Sequence, residues 1–478
     1  MFGASLLVGT LVALWYARLG LTLSHYDARG HLVVARRIFD SITPGWQQVG
    51  AVWLPLPHLL NALPVQVDVL YRTGASGVAI SVLSFAVATG AIAWTVAALT
   101  GSWPAALAGA LVFALNPNVL YLEATPMTEP LLMALDAAAI ALLVKWCRGG
   151  PWAPSNAVVG WVFVLACMTR YEAWPVAIGS LAVAVWVLWR GGLAAVAAAK
   201  RVWAVAIYPV ASILAFTVFS KIVVGAWFAS GFFVPENPAQ GRPVEAVRLI
   251  VWGLHELSGT GVMVVGSLGA LILMGRALWT RAFAADILPL ASLGTAAVPW
   301  SAFVDGHPYR IRYMVPLIAI QALCAGVAAG TWRRGQYAGA AALVAVALVE
   351  LHPLSLTAPM VTEAQWDKPN IVAREAVTAC LREGYRGDSV MASMGSLGHY
   401  MQDLSRAGFA IRDFLHEGNG DIWLNALNSP RPYAGWILIE EKAEGGDMLA
   451  LRARQHPAFL GGYVRVCEGA GLALYRRH

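Results

Sequence analysis

Eleven apolar stretches are long enough to cross the hydrocarbon core of a membrane, near residues 2–23, 76–98, 102–119, 127–145, 155–171, 173–190, 202–224, 258–275, 282–300, 313–331 and 336–352. Basic residues follow alternate stretches: Lys145 and Arg148, then Arg190, Lys200 and Arg201, then Arg276 and Arg281, then Arg333 and Arg334. Positive charge in short loops stays cytoplasmic, so this alternation predicts a cytoplasmic N-terminus and, after eleven crossings, an outer C-terminal tail. The fifth and sixth stretches are nearly abutted by Arg170, Tyr171 and Glu172. The first lacks a basic start and a small-residue cleavage site and is read as a retained helix, not a signal peptide.

From about residue 353 the chain changes to mixed polar and apolar runs. A helical pattern lies within 367–384, and SVMASMG, GWILIEE and GLALYRR read as strands. The expected architecture is a polytopic α-helical membrane domain over 1–352, including an amphipathic first outer loop at 24–75, and a small extracytoplasmic α/β domain over 353–478. Two cysteines fall in that domain, Cys380 and Cys467, and both a disulfide and two unpaired buried thiols are compatible with the sequence. Cys147, Cys167 and Cys324 lie in or beside apolar stretches without ligand spacing and read as packing residues.

Composition agrees with the pattern. Hydrophobic residues make up 58% and charged residues 13%, with a mean hydropathy of +0.62, which excludes an ordinary cytosolic domain. The formal charge of +6 is concentrated in the loops just named, so it marks topology and is not a nucleic-acid footprint.

Four polar constellations interrupt the apolar background. The first is SHYDARGHLVVARRIFDSITPG, where Asp27 and His31 are four apart and share a helix face that can lie along the membrane surface. Capping is the plain alternative for Asp27, and a packed, hydrogen-bonded ring for His31. The aromatic, proline-bearing AVWLPLPHLL at 51–60 reads as an interfacial or kinked element. The second is LNPNVLYLEATPMTEPLL: Glu129 stands at a helix start, so helix support competes with substrate binding, Glu123 precedes it, and Asn116 and Asn118 flank a proline. The third is TRYEAWP, where Arg170 and Glu172 at the membrane edge can neutralise one another. The fourth is FVDGHPYRIRYMVPL, which gathers Asp305, His307, Arg310 and Arg312 outside, against the charge trend. Two outer arginines call for an anionic partner, met by lipid headgroups, by carboxylates or by a substrate phosphate. Tyr309 and Tyr313 also suit an aromatic belt.

In order and sidedness these motifs resemble the multi-spanning GT-C glycosyltransferases, especially the protein O-mannosyltransferase and aminoarabinose transferase families. The matching positions are Asp27, His31, Ala35 and Arg36 after the first helix, WLPLPHLL at 53–60, Glu129 within TPMTEPL, TRYE at 169–172, and Arg312 with Tyr313 opening a late helix. Two departures stand out: Ala28 replaces the usual second acid, and the proline segment reads PLP where many relatives carry adjacent prolines. The resemblance implies a GT-C fold in the inner or plasma membrane, a polyprenyl-phosphate sugar donor, and a lipid, glycan or protein acceptor.

The chemistry of such a transfer has a counterpart in these residues. A polyprenyl phosphate leaves as an anion and needs cationic stabilisation, which Arg312 with Arg310 or His307 would supply. An attacking hydroxyl needs a carboxylate, for which Asp27 is the candidate base, and one base with a phosphate clamp implies inversion. Glu129 would orient hydroxyls. The expected set is therefore Asp27 and Glu129 in catalysis, with His31, Arg170, His307, Arg310, Arg312 and Tyr313 on donor phosphate or substrate. Asp27, His31, Glu129 and His307 carry donor atoms suited to a divalent metal, but they lack recognised ligand spacing. Two further readings are a transporter or lipid-linked sugar flippase, and a non-catalytic scaffold. Their signatures, an internal repeat and midplane charges for transport, are not what the spans display by inspection.

Overall fold

The computed structural model describes residues 1–225, 227, 237–442 and 446–478. The chain divides into two compact units. The first comprises Met1–Leu19, Val78–Thr217 and Glu236–Glu363; the second comprises Gly20–Gly77, Val218–Pro235 and Ala364–His478.

The first unit is helical. Seven helices among the described residues are long and apolar enough to span a membrane: Ala75–Thr100, Glu129–Arg148, Ala173–Arg190, Ala195–Val223, Thr260–Trp279, Arg281–Val304 and Ile311–Thr331. Each coincides with a stretch expected from the sequence. The expected eleven crossings are not reproduced, because four stretches form other shapes. The third breaks into Trp103–Ala114 and Pro117–Glu123, bent by 67°, which makes eight spans if that pair is one. Pro117 has no N–H for the helical ladder, and Asn116 caps a new start by accepting from the backbones of Asn118 and Val119. The first stretch forms the 17-residue helix Phe2–Arg18 and the fifth the 12-residue helix Asn156–Cys167; the last forms the 16-residue helix Gln336–Leu351. The fifth stops short because its expected end holds Arg170, which turns the chain into a charged cluster.

Helices approach closely in this unit where side chains vanish. A Cβ on Gly109 would lie 3.1 Å from the Cα of Gly326, and a Cβ on Gly269 would collide with the carbonyl oxygen of Cys324. Such small-residue contacts are how helices associate without a hydrophobic driving force in lipid. Arg148 and Arg276, members of the basic alternation in the last turns of their helices, both meet the buried Asp286 at 2.9 Å.

The second unit holds a five-stranded sheet in the order β2-β1-β3-β5-β4: β1 Val390–Ala392, β2 Phe414–Leu415, β3 Trp436–Glu440, β4 Tyr463–Gly469 and β5 Leu472–Arg477. β1 runs parallel to β2 and β3, whereas β5 is antiparallel to β3 and β4. Strands β1, β3 and β5 match the expected ones; β2 and β4 have no clear alternation in the sequence. β1 is followed by the helix Met394–Arg406, in which Leu397, Tyr400, Met401 and Leu404 fall on one buried face. Helix Ile371–Gly384 is bonded to β4 by a Cys380–Cys467 disulfide, so the thiol alternative is set aside.

The sequence places the first outer loop, 24–75, in the membrane domain. By packing it belongs with residues 364–478: Leu32, Val33, Ala35, Val65 and Tyr71 share one apolar core with Leu397, Met401, Leu404 and Phe414. The apolar face of helix Tyr26–Arg37 is thus covered by protein, not laid on lipid. Pro243 opens the helix Pro243–Ser258.

Candidate functional site

Of the expected site residues, Asp27 and His31 lie in the second unit, and Glu129, Arg170, His307, Arg310, Arg312 and Tyr313 in the first.

In the first unit the structure brings together TPMTEPL and TRYE. Arg170 donates to Glu129 Oε1 and Thr128 Oγ1, each at 2.9 Å, and to Glu172 Oε1 at 2.6 and 3.0 Å. Glu129 is the first residue of its helix and fully buried, yet its side chain serves Arg170 and leaves the helix without a side-chain cap. The expected Arg170–Glu172 neutralisation is therefore incomplete as a description, since two carboxylates share one guanidinium. Burial works against the charge on Arg170; Glu129 and Glu172 outweigh it, so the group is held above its ordinary value, with Arg312 opposing. Arg312 is thus near enough to be felt at this cluster. Its side chain is buried, at 6% exposure, with the guanidinium carbon 5.2 Å from the centre of the Tyr313 ring. The Tyr313 hydroxyl lies 3.4 Å from His307 Nε2, and Asn237 Nδ2 donates to the His307 carbonyl at 2.8 Å. Arg310 precedes the short turn Ile311–Met314, whose first N–H is accepted by Glu363 at 3.0 Å. Asn116 and Asn118 both donate to the Leu257 carbonyl, which makes them anchors of the helix break more than turn formers.

In the second unit, Asp27 lies in the first turn of helix Tyr26–Arg37, where the partial positive charge of the helix start favours a carboxylate. It is not the cap. His25 takes that place, its Nδ1 accepting from the Asp27 N–H at 3.1 Å, and Asp27 is left 6% exposed. One turn on, His31 Nδ1 stands 3.1 Å from His58 Nε2, and His58 Nδ1 stands 3.0 Å from the Leu54 carbonyl oxygen. Trp53 covers the pair, its ring centre 4.1 Å from that of His31.

Behind this helix runs an ion network. Arg29 donates to Asp403 Oδ2 at 2.7 Å and Asp367 Oδ2 at 3.3 Å, while Arg374 joins Asp367 at 2.5 Å to Glu440 at 3.1 Å. Burial pushes His399 down to about 3, helped by Arg29 and Arg374, although Asp367 and Asp27 pull the other way. Burial also pushes His58 down to about 3, with Arg37 adding to it, so His58 is neutral.

Sequence reasoning missed His25, His58, Arg29 and the network, whose partners lie 338 and 374 residues apart along the chain. It also missed Asp136, for which a signal existed: a lone acid inside the fourth apolar stretch. Among the described residues no three of His, Cys, Asp and Glu converge as a metal site.

No family model and no curated protein matches the chain. Solved structures do. ArnT from Cupriavidus metallidurans bound to undecaprenyl phosphate is 13% identical at a TM-score of 0.60, over 98% of this chain and 97% of that one. The Archaeoglobus fulgidus oligosaccharyltransferase tethered to an acceptor peptide is 12% identical at 0.52, over 98% of this chain and 74% of that one. The archaeal oligosaccharyltransferase AglB from the same organism, in complex with an inhibitory peptide and a dolichol-phosphate, gives 0.51 at 12% identity, over 91% and 69%. At these identities the likeness is one of fold. The chain has the fold of ArnT and the oligosaccharyltransferase, with seven or eight helices among the described residues long and apolar enough to cross a membrane and a small C-terminal sheet domain.

Proposed function

We propose that this protein transfers a sugar from a polyprenyl-phosphate donor to an acceptor hydroxyl at the extracytoplasmic face of the inner or plasma membrane, with inversion, in the manner expected of the protein O-mannosyltransferase and aminoarabinose transferase type. The observation that carries the reading is the shared fold, nearly end to end, with an ArnT solved on undecaprenyl phosphate. Asp27 is the base that takes the acceptor proton, at a helix start that favours its anionic form. Arg312 receives the phosphate as the glycosidic bond breaks, and His307, Arg310 and Tyr313 support it. Glu129, held through Oε1 by Arg170, orients the acceptor or sugar hydroxyls. No step is routed through a metal. The acceptor can be lipid, glycan or protein.

Asp27→Asn tests this. The purified variant is expected to fold and bind donor while sugar transfer drops by roughly 10²–10⁴-fold. Transfer at the wild-type rate would remove Asp27 as base.

One observation favours a second reading, translocation of a lipid-linked sugar. Glu123 and Asp136 are buried within apolar helices, and none of their carboxyl oxygens has a hydrogen-bond partner among the described residues. Asp136 lines a cavity of about 20 Å³ with Ser292 and Thr295. Buried acids at such depth often mark transport paths. Proteoliposomes settle it: leaflet exchange of a polyprenyl-phosphate sugar that falls in Asp136→Asn, without any transfer product, would replace the transferase reading.

A further inference from the structure

We propose that the cavity beside Asp136 is a binding site for one water molecule, which ties the Asp136 carboxyl to the hydroxyls of Ser292 and Thr295 and so joins helix Glu129–Arg148 to helix Arg281–Val304. The inference lies within the first unit and does not rest on the transferase reading. It gives this acid a resident ligand in place of a transported one.

The walls follow from helical spacing. Met133, Asp136 and Ile140 recur along one face of helix Glu129–Arg148. Ser292 and Thr295 belong to residues 281–296, which wind as a 3-10 helix, and side chains three apart on such a helix eclipse, so the two hydroxyl residues share one row. Thr295 Oγ1 donates to the Ser292 carbonyl at 2.9 Å, which leaves its lone pairs to accept. Ile92 of helix Ala75–Thr100 and Leu323 of helix Ile311–Thr331 add apolar wall.

Need and room coincide at this point. Asp136 is 6% exposed, and neither of its carboxyl oxygens has a hydrogen-bond partner among the described residues. A buried polar group left in that condition is costly, and ordered water is the usual remedy. The cavity measures about 20 Å³. One water needs about 10–15 Å³ of such space and about two to four polar partners, which a carboxyl and two hydroxyls supply. Cavities that stay dry are lined by apolar groups alone, and this one is not. A metal cation fits less well: beyond one acid and two hydroxyls the lining is apolar, so an ion stripped of its hydration would meet too few oxygens to replace it. Asp136 stands seven residues beyond Glu129, roughly 10 Å along the same helix. The water therefore fixes the helix whose first residue is Glu129.

The test is infrared difference spectroscopy on hydrated films of the full-length protein, in H₂¹⁶O and in H₂¹⁸O. Wild type minus Asp136→Leu is expected to show a narrow O–H stretching band that moves down in H₂¹⁸O, as only a water band does. Asp136→Asn, whose amide can both donate and accept, should keep that band at a shifted frequency. Absence of any ¹⁸O-sensitive band from the wild-type difference overturns the proposal. If Asp136→Leu does not fold, Ser292→Ala and Thr295→Val take its place: each removes one partner and should shift the band, and a band unmoved in both variants is equally fatal. The melting temperature of the wild type is expected to be the same in NaCl and in choline chloride. A rise in NaCl that disappears in Asp136→Asn would make this a sodium site and reject the water. None of these readouts needs turnover, so failure of the transferase reading and failure of the water site are told apart.

Discussion

At Arg312 the sequence offered only an arginine against the charge trend; the structure adds that it is buried against Tyr313 and felt at Arg170. Its place beside Tyr313 and within electrostatic reach of the Arg170 cluster is the ground on which it is proposed for the donor phosphate. Arg312→Ala is expected to cut turnover by roughly 10²–10³-fold and to weaken donor binding, measured by single-turnover transfer with the lipid-phosphate sugar. Equal donor affinity and equal turnover would remove that role. The same scale shows how a neighbour decides between two readings of one residue. Asp27 was recognised as a polar site, but its capping alternative fails because His25 does that work, a partnership with no spacing signature.

Elements were legible where physics is local. The seven long helices follow from uninterrupted apolar runs, and β3 and β5 from compact apolar segments. Their close packing is less visible, because a glycine in an apolar run carries no sign of what lies opposite. At Gly269 the opposite surface is the backbone of helix Ile311–Thr331, and a methyl there has no side chain to push aside. Gly269→Leu is expected to force those helices apart and lower stability by several kcal/mol, beyond the ~1–3 kcal/mol usual for overpacking. Thermal inactivation in detergent would report it, and a melting point equal to wild type would mean that the contact is loose. A bend within an expected span is hidden for a related reason. Length and hydropathy do not register a proline with a capping asparagine before it, and the stretch 102–119 therefore reads as one helix although it is two.

On the scale of the whole chain, the domain division was the least legible feature, since it depends on pairings such as Arg29 with Asp403 that a single sequence cannot reveal. That unit also has a pH response of definite sign. His58 and His399, lowered by burial to about 3 from 6.5, take up protons only once unfolded, and His416 is lowered in the same sense. Their contribution is complete above about 6.5 and is lost as pH falls toward about 3. Glu440 acts oppositely: raised by burial from 4.5 to about 7, it keeps its proton when folded, so its contribution is lost as pH rises from 4.5 to about 7. Asp447 is raised by burial in the same sense as Glu440, so three histidines stand against two acids, and the unfolding midpoint of that unit is expected to fall when pH is lowered from about 6.5 to about 4.5. Calorimetry across that range would check it; a rising midpoint would mean that the histidines are charged in the native protein.

The helix bearing Asp27 leaves the ribosome some three to four hundred residues ahead of Asp403, Leu404 and Phe414, against which it and its neighbours are packed. Until then that helix has only its own loop, Val65 and Tyr71 included, to fold upon, and Arg29 lacks Asp403. A chain cut between residues 353 and 402 would keep every apolar span and yet lack Asp403, Leu404 and Phe414. The tail is thus no appendage: it is the other half of the outer loop, delivered last.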